Sequence, residues 1–269
     1  MTDWDNNEQM VAWDKKYVST NVKPNARKYD KDVFLAFEEK LRGAGPDMHT
    51  CSAAIIASVC CAVGRADVVG RIFDDLTTNA SPEDSRKTFM QIREAITITF
   101  PYLGMPTLVP ACYGMIGVVN RKGLSYAHME RLRQPAIDAT TVHTGFQLRS
   151  QIYRGVGNEE IFLQMEKLFT DLHFCSTVVG WGFLISKASE EVFGLEHSHL
   201  IVAATIMALG ATRQTRSHIK ATLGLGNSID VVKTVVETVI DICDWAEKEI
   251  DSFDIDELST QIQTALSKK

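Results

Sequence analysis

Asn-Gly and Asp-Gly pairs are missing from this sequence, and with them the strongest local signal for a β-hairpin. Cysteine is sparse: six residues, none in a Cys-x-x-Cys pair and none at framework spacing, so a disulfide scaffold is excluded and a reducing compartment is expected. Basic residues are the minority, 28 Lys and Arg against 34 Asp and Glu. The net charge of −6 gives no electrostatic reason for a nucleic acid or an anionic membrane as partner. Apolar runs are short: residues 53–63 and 201–209 fall well below the ~20 residues that a membrane span requires. The opening Met-Thr-Asp-Trp-Asp-Asn-Asn-Glu lacks the basic and apolar regions of a secretory signal, so a cytoplasmic location is expected. A phosphate loop is absent too. Gly224-Leu-Gly226 reads as the turn before a capped helix, with no Walker lysine after it.

What remains is an ordinary globular composition, 45% hydrophobic, in 269 residues that accommodate two units of about 100 residues each. An internal echo points the same way. Leu76-Thr-Thr-Asn-Ala-Ser81-Pro-Glu-Asp is answered by Leu223-Gly-Leu-Gly-Asn-Ser228-Ile-Asp. Each serine follows its leucine by five residues and suits a helix N-cap. Pro82, Glu83 and Asp84 fill the first turn of one copy, and Asp230 lies in that of the other. Upstream, apolar helices are expected to end at Gly64 and Gly210. Downstream, Glu94-Ala-Ile-Thr-Ile-Thr-Phe-Pro-Tyr102 answers Glu237-Thr-Val-Ile-Asp-Ile-Cys-Asp-Trp245. The offset drifts from 147 residues at the serines to 143 at the glutamates, so the first copy carries four extra residues.

Apolar residues recur at spacings of three and four along nearly every patterned stretch, which predicts an all-α fold. Helices are expected over 32–42, 52–63, 68–76, 82–103 (bent or shortened by Pro101), 108–119, 159–169, 178–186, 199–209, 211–222, 228–247 and 255–266. Residues 231–243 are rich in β-branched side chains but form too long a run for one strand. The resulting organisation is a polar N-terminal segment (1–30), a first helical repeat (31–120), a connection (121–148), a second repeat (149–250) and a C-terminal helix (251–269). Trp4, Met10, Trp13 and Tyr17 suit one short helix over the surface. Leu258, Ile262 and Leu266 form a stripe fit for a lid or a partner contact.

His199-Leu-Ile-Val-Ala-Ala-Thr-Ile-Met-Ala-Leu-Gly210, followed by His218-Ile-Lys-Ala-Thr-Leu, resembles the core motif of the carboxymuconolactone decarboxylase family, which shares its fold with alkylhydroperoxidase D. Tyr153-Arg-Gly-Val-Gly through Gly182 is similar to that family's lead-in helices. Arg93-Glu-Ala-Ile through Tyr102-Leu-Gly-Met-Pro106 is similar to its closing segment. The resemblance covers residues 50–120 and 150–248, the second block more specifically. It implies two tandem alkylhydroperoxidase D-like units in one compact protein. The first unit is degenerate, because Arg71 or Ile72, depending on the anchor, stands opposite His218. Single-unit relatives form rings of helical subunits, so further self-association, as a dimer or trimer, is also implied.

Two departures limit what carries over. The family's peroxidases use a Cys-x-x-Cys pair, and its positions here are Ala211 and Gln214. A thiolate attacker and its resolving thiol are therefore both absent from the motif. The family's glutamate, nineteen residues before the histidine, is replaced by His199, with Glu196 one turn earlier. Counted from Gly210, His199 and His218 lie ~16 and ~12 Å along two successive helices, so an antiparallel hairpin brings the imidazoles to one level. There they can share a hydrogen bond or a water and split their titration, one holding a proton near neutrality while the other accepts.

The function expected from this is a cofactor-independent lyase or isomerase, decarboxylase-like, acting on a small lactone, keto acid or polyketide-type intermediate. His218 would carry the proton and His199 would orient it or exchange protons with it. Arg216 or Lys220 would hold an anionic substrate, and Trp181 and Tyr102 would wall the pocket. Glu196 and His197 belong to the same substrate-binding set. Each has a structural alternative: His218 and His199 as satisfied core or helix-start residues, Glu196 and His197 as solvated first-turn groups, Trp181 and Tyr102 as core. His197-x-His199 lacks acidic or thiol partners at ligand spacing, so no metal is expected. His143 reads as part of a polar loop. The alternatives to an enzyme of this kind are a non-catalytic binding or scaffold protein and a peroxidase-type redox protein.

Overall fold

The computed structural model describes residues 3–268, and every regular element among them is helical. Short helical turns lead through Glu8–Trp13 and Asp14–Val18 to α1 (Lys31–Gly43), where the Asp30 carboxylate accepts from the main-chain N–H groups of Asp32 and Val33. α2 (Ser52–Ala62) is buried at every position, as an all-round apolar helix must be. α3 (Val69–Leu76), α4 (Pro82–Leu103) and α5 (Met105–Lys122) complete the first half. The second half contains α6 (Ala139–Ile152), α7 (Glu159–Leu168), α8 (Thr170–Phe193), α9 (Leu195–Ala208), α10 (Thr212–Gly224), α11 (Ile229–Trp245) and α12 (Ile255–Ser267). Ser81 accepts from the Asp84 N–H and Ser228 from the Val231 N–H, so both serines cap helices. No single helix among the described residues is long and apolar enough to cross a membrane.

The helices exchange contacts reciprocally between the halves. α2 packs on α9 at the centre. α4 then meets α9, and α11 meets α2; α1 lies on α11, and α8 lies on α4. Within each half the third contact is the same in kind, α3 against α5 and α10 against α12. One continuous apolar core results, running from Trp4 to Ile262.

Several local expectations give way to packing. α4 continues through Pro101, because the proline sits in the last turn before Gly104 and removes only one ladder bond. His143 stands exposed on helix α6 rather than in a polar loop. The N-terminal segment is not a surface feature: Trp4, Met10 and Val18 are buried, and Trp13 lies against Gly117, where a Cβ would meet its indole at 2.8 Å. α12 is likewise part of the body. Its Ile262 and Leu266 fill the space beside Gly155, where an added Cβ would come within 3.0 Å of Leu266.

Candidate active site

The two histidines are placed by one sharp turn. α9 ends at Gly210, whose φ of +78° suits glycine, and α10 returns antiparallel from Thr212. The imidazoles of His199 and His218 stack with centroids 5.1 Å apart and planes 18° from parallel. Three more rings arrive from three other helices. Trp181 comes from a π-helical stretch of α8, Ser176–Ile185, and lies 5.8 Å from His199. Tyr102, in the last turn of α4, meets His218 edge-on at 6.4 Å. Tyr153, at the C-terminal end of α6, sets its hydroxyl 3.3 Å from His218 Nε2.

The pair is nearly sealed, with His199 0% and His218 6% exposed. Both nitrogens of His199 and Nδ1 of His218 are buried without a hydrogen-bond partner. The expected hydrogen bond between the imidazoles is therefore not made; the rings meet face to face. Burial pushes His218 down to about 4. Burial, then the neighbouring His218, pushes His199 well below the usual histidine range, with the His218 main chain pulling the other way. Split protonation near neutrality is thus corrected: an apolar enclosure disfavours a charge on either ring. Tyr153 moves oppositely, its phenol pushed up to about 12 by burial, and Tyr102 is raised further by the same cause. Near neutral pH both imidazoles are neutral and Tyr153 keeps its proton, placed to donate a hydrogen bond to His218 Nε2.

Of the residues read from the sequence, His199, His218, Trp181 and Tyr102 come together. Arg216 is exposed and faces Glu257 at 3.8 Å. Lys220 donates to the Val156 carbonyl at 2.7 Å, and burial lowers its pKa. The Glu196 carboxylate curls back against Gly194 at the start of its own helix. His197 Nδ1 meets the Phe193 carbonyl at 3.1 Å, away from His199, so the two do not face a common ion. No group of three or more His, Cys, Asp or Glu residues is disposed to hold a metal among the described residues.

Tyr153 and Arg149 were not legible as site residues. Tyr153 stands 65 residues from His218 in sequence, and no local pattern links them. It forms the floor of a cleft of about 670 Å3 whose walls include Arg149, Arg154, Phe162, Glu166 and His173. Arg149 donates to Thr177 Oγ1 at 2.7 Å and lies over the Phe162 ring at 5.1 Å. Thr177 and Trp181 share the π-helical stretch, so one irregular segment serves both the cleft and the buried pair. Tyr153 touches both, lining the cleft and meeting His218. No family model, curated protein or solved structure matches the chain.

Proposed function

We propose that the chain is a cofactor-independent acid–base enzyme, an isomerase or lyase acting on a small oxygenated acid in the cleft beside Tyr153. The observation that carries this is the 3.3 Å contact between Tyr153 Oη and His218 Nε2. It couples a phenol at the cleft to an imidazole pair with no other hydrogen-bond partner on its ring nitrogens. Buried polar atoms left unpaired cost about 1–3 kcal/mol each, which a purely structural pair of side chains has no reason to retain.

In the proposed step a substrate C–H bond beside a carbonyl breaks. Its proton passes to the Tyr153 oxygen as the phenolic proton passes to His218 Nε2. Because burial disfavours the resulting imidazolium at rest, the cation is a transient that hands the proton back. The electron pair flows into the carbonyl and leaves an enolate. Return of a proton to another carbon isomerises the substrate; expulsion of a β-substituent by the same electron pair eliminates it. In the decarboxylase-like variant implied by the resemblance, the pair comes instead from the bond to a departing carboxylate, and Tyr153 delivers the proton to carbon. His199, stacked on His218 and disfavoured as a cation by burial and by His218 itself, limits the pair to one proton.

The reciprocal packing of α2, α4 and α1 with α9, α11 and α8 supports reading the chain as two alkylhydroperoxidase D-like units, the first without the histidines. A dimer or trimer belongs to the same resemblance, and sedimentation velocity reads it; a cytoplasmic location rests instead on the sparse, unpaired cysteines. The peroxidase reading is disfavoured by the thiols: burial pushes Cys51 up to about 12 and Cys243 to about 11, and Cys60 and Cys61 are raised as well. The complete burial of His199 favours a second reading, a non-catalytic binding or scaffold protein.

Solvent deuterium incorporation into small keto acids and lactones, followed by NMR, separates the two. Wild type is expected to exchange protons next to the carbonyl, and Tyr153→Phe and His218→Ala to lose this by about 100-fold or more. No exchange by wild type into any of them would leave the scaffold reading, and exchange by His218→Ala at the wild-type rate would overturn the role given to His218.

A further inference from the structure

Arg149 differs from the other shielded arginines of the molecule. Arg65 pairs with Asp67, Arg71 with Asp5 and Asp14, Arg93 and Arg133 with Glu94, and Arg121 with Asp74. Arg149 is half-buried, yet among the described residues it has no carboxylate at ion-pair distance. Its one bonded N–H goes to the Thr177 hydroxyl, and Glu166 acts on it only from farther away. A guanidinium has five N–H donors in a fixed fork, and those left over here border the cleft. Arg154 reaches the same space. Phe146 and Phe162 supply flat apolar wall, and the Phe162 ring stands 4.9 Å from that of Tyr153.

We infer that the cleft is a monocarboxylate site, in which Arg149 holds the carboxylate and Phe146 and Phe162 flank an unsaturated or aromatic body. The guanidinium fork matches a planar carboxylate with two parallel hydrogen bonds. The exposed carboxylate of Glu166 on the wall opposes a second negative charge, so the site selects monoanions over dianions. Placing the reacting carbon at Tyr153 rests on the acid–base reading above; binding of the carboxylate does not.

Calorimetric titration of the full chain with benzoate, its neutral isostere benzamide and the dianion phthalate tests this. Wild type is expected to prefer benzoate to benzamide by about tenfold or more, the margin of a charge-assisted hydrogen bond. Arg149→Gln should lose that preference while benzamide binding stays the same, and Arg149→Lys should recover part of it. Glu166→Gln, a change at an exposed position, should strengthen phthalate more than benzoate. Equal binding of benzoate and benzamide to wild type overturns the proposal even if Arg149→Gln fails to fold. So does a Glu166→Gln variant with unchanged benzoate-to-phthalate selectivity. Benzoate bound through Arg149, with no deuterium exchange into any keto acid, would keep the carboxylate site and remove the acid–base reading. Exchange with an unchanged KM in Arg149→Gln would do the reverse.

Discussion

Two helix pairs, α2 with α3 and α9 with α10, meet at the centre of the molecule and place opposite chemistries at matching positions. Gly64 and Gly210 end the first helix of each pair with the same φ, +78°. Eight residues beyond them stand Ile72 and His218; eleven residues before them stand Ala53 and His199. All four are buried. Counted from the glycines, the buried match to His218 is Ile72, 2% exposed, while the neighbouring Arg71 is taken up by Asp5 and the Trp4 ring. The first pair fills its centre with apolar atoms, and the N-terminal segment packs over the same half. The second encloses three unpaired imidazole nitrogens and opens, through Tyr153, on a cleft. The first pair shows that a buried helix hairpin with the same turn stands on apolar contacts alone.

The largest expected effects ask whether the halves are one cooperative body. Each half has a crossing where helix backbones touch through glycine: Gly70 on Gly114, and Gly182 on Gly145. A Cβ at Gly182 would stand 2.2 Å from the Thr141 carbonyl oxygen, and one at Gly70 would stand 2.5 Å from the Gly114 carbonyl carbon. Backbone cannot yield as a flexible side chain does, so Gly182→Ala and Gly70→Ala should each cost about 3 kcal/mol. Urea unfolding measures both. A single shifted transition in each variant makes the pairs parts of one core. Two transitions, each moved by one variant only, would make them separate bodies.

Exchanging the chemistry of the pairs should produce unequal changes. Ile72→His buries a polar ring where the fold provides apolar contacts and should cost about 2 kcal/mol. His218→Ile removes an imidazole with an orphaned nitrogen and should be neutral or stabilising by about 1 kcal/mol. Thermal unfolding reads both. If His218→Ile were as damaging as Ile72→His, the imidazole would be a structural element and the contrast between the pairs would vanish.

Acid should act on the second pair through its buried histidines. A histidine whose folded pKa lies below its unfolded value is neutral in the fold, and the unfolded chain binds the extra proton. Stability is therefore full above the unfolded value of about 6.5 and falls as pH drops through the window down to about 4, the folded value for His218. At pH 5 the loss from His218 alone should be about 2 kcal/mol, with His199 adding in the same direction. His218→Ile should flatten this part of the profile. A wild-type profile already flat from pH 6.5 to 5 would mean that water or a counter-charge reaches the pair.

The second pair was legible because a short turn converts spacing into position. Eleven residues up one helix and eight down the next bring His199 and His218 level wherever Gly210 reverses the chain. The serine caps were equally local. Tyr153 and Arg149 were not, because their place depends on how α6 crosses α8, a contact set by Gly145 and Gly182 with no periodic signature. The electrostatics were misread for a related reason. Sequence shows two histidines side by side but not the enclosure by Trp181, Tyr102 and Tyr153 that keeps them neutral.

The smallest effect belongs to Arg216, and it bears on which cation serves the second pair. In sequence Arg216 and Lys220 flank His218 at two residues on either side, which is close along the chain but about 200° away around a helix. Arg216 accordingly faces solvent, and its contact with Glu257, 3.8 Å between side chains 45% and 53% exposed, should contribute less than about 0.5 kcal/mol. Arg216→Ala should leave stability, benzoate affinity and deuterium exchange unchanged, while Arg149→Gln loses the benzoate preference. A tenfold rise in KM on Arg216→Ala would reverse that order. It would require α10 to turn in solution so that Arg216 enters the cleft, which would break the buried stack of His218 on His199 and remove the contrast between the two pairs.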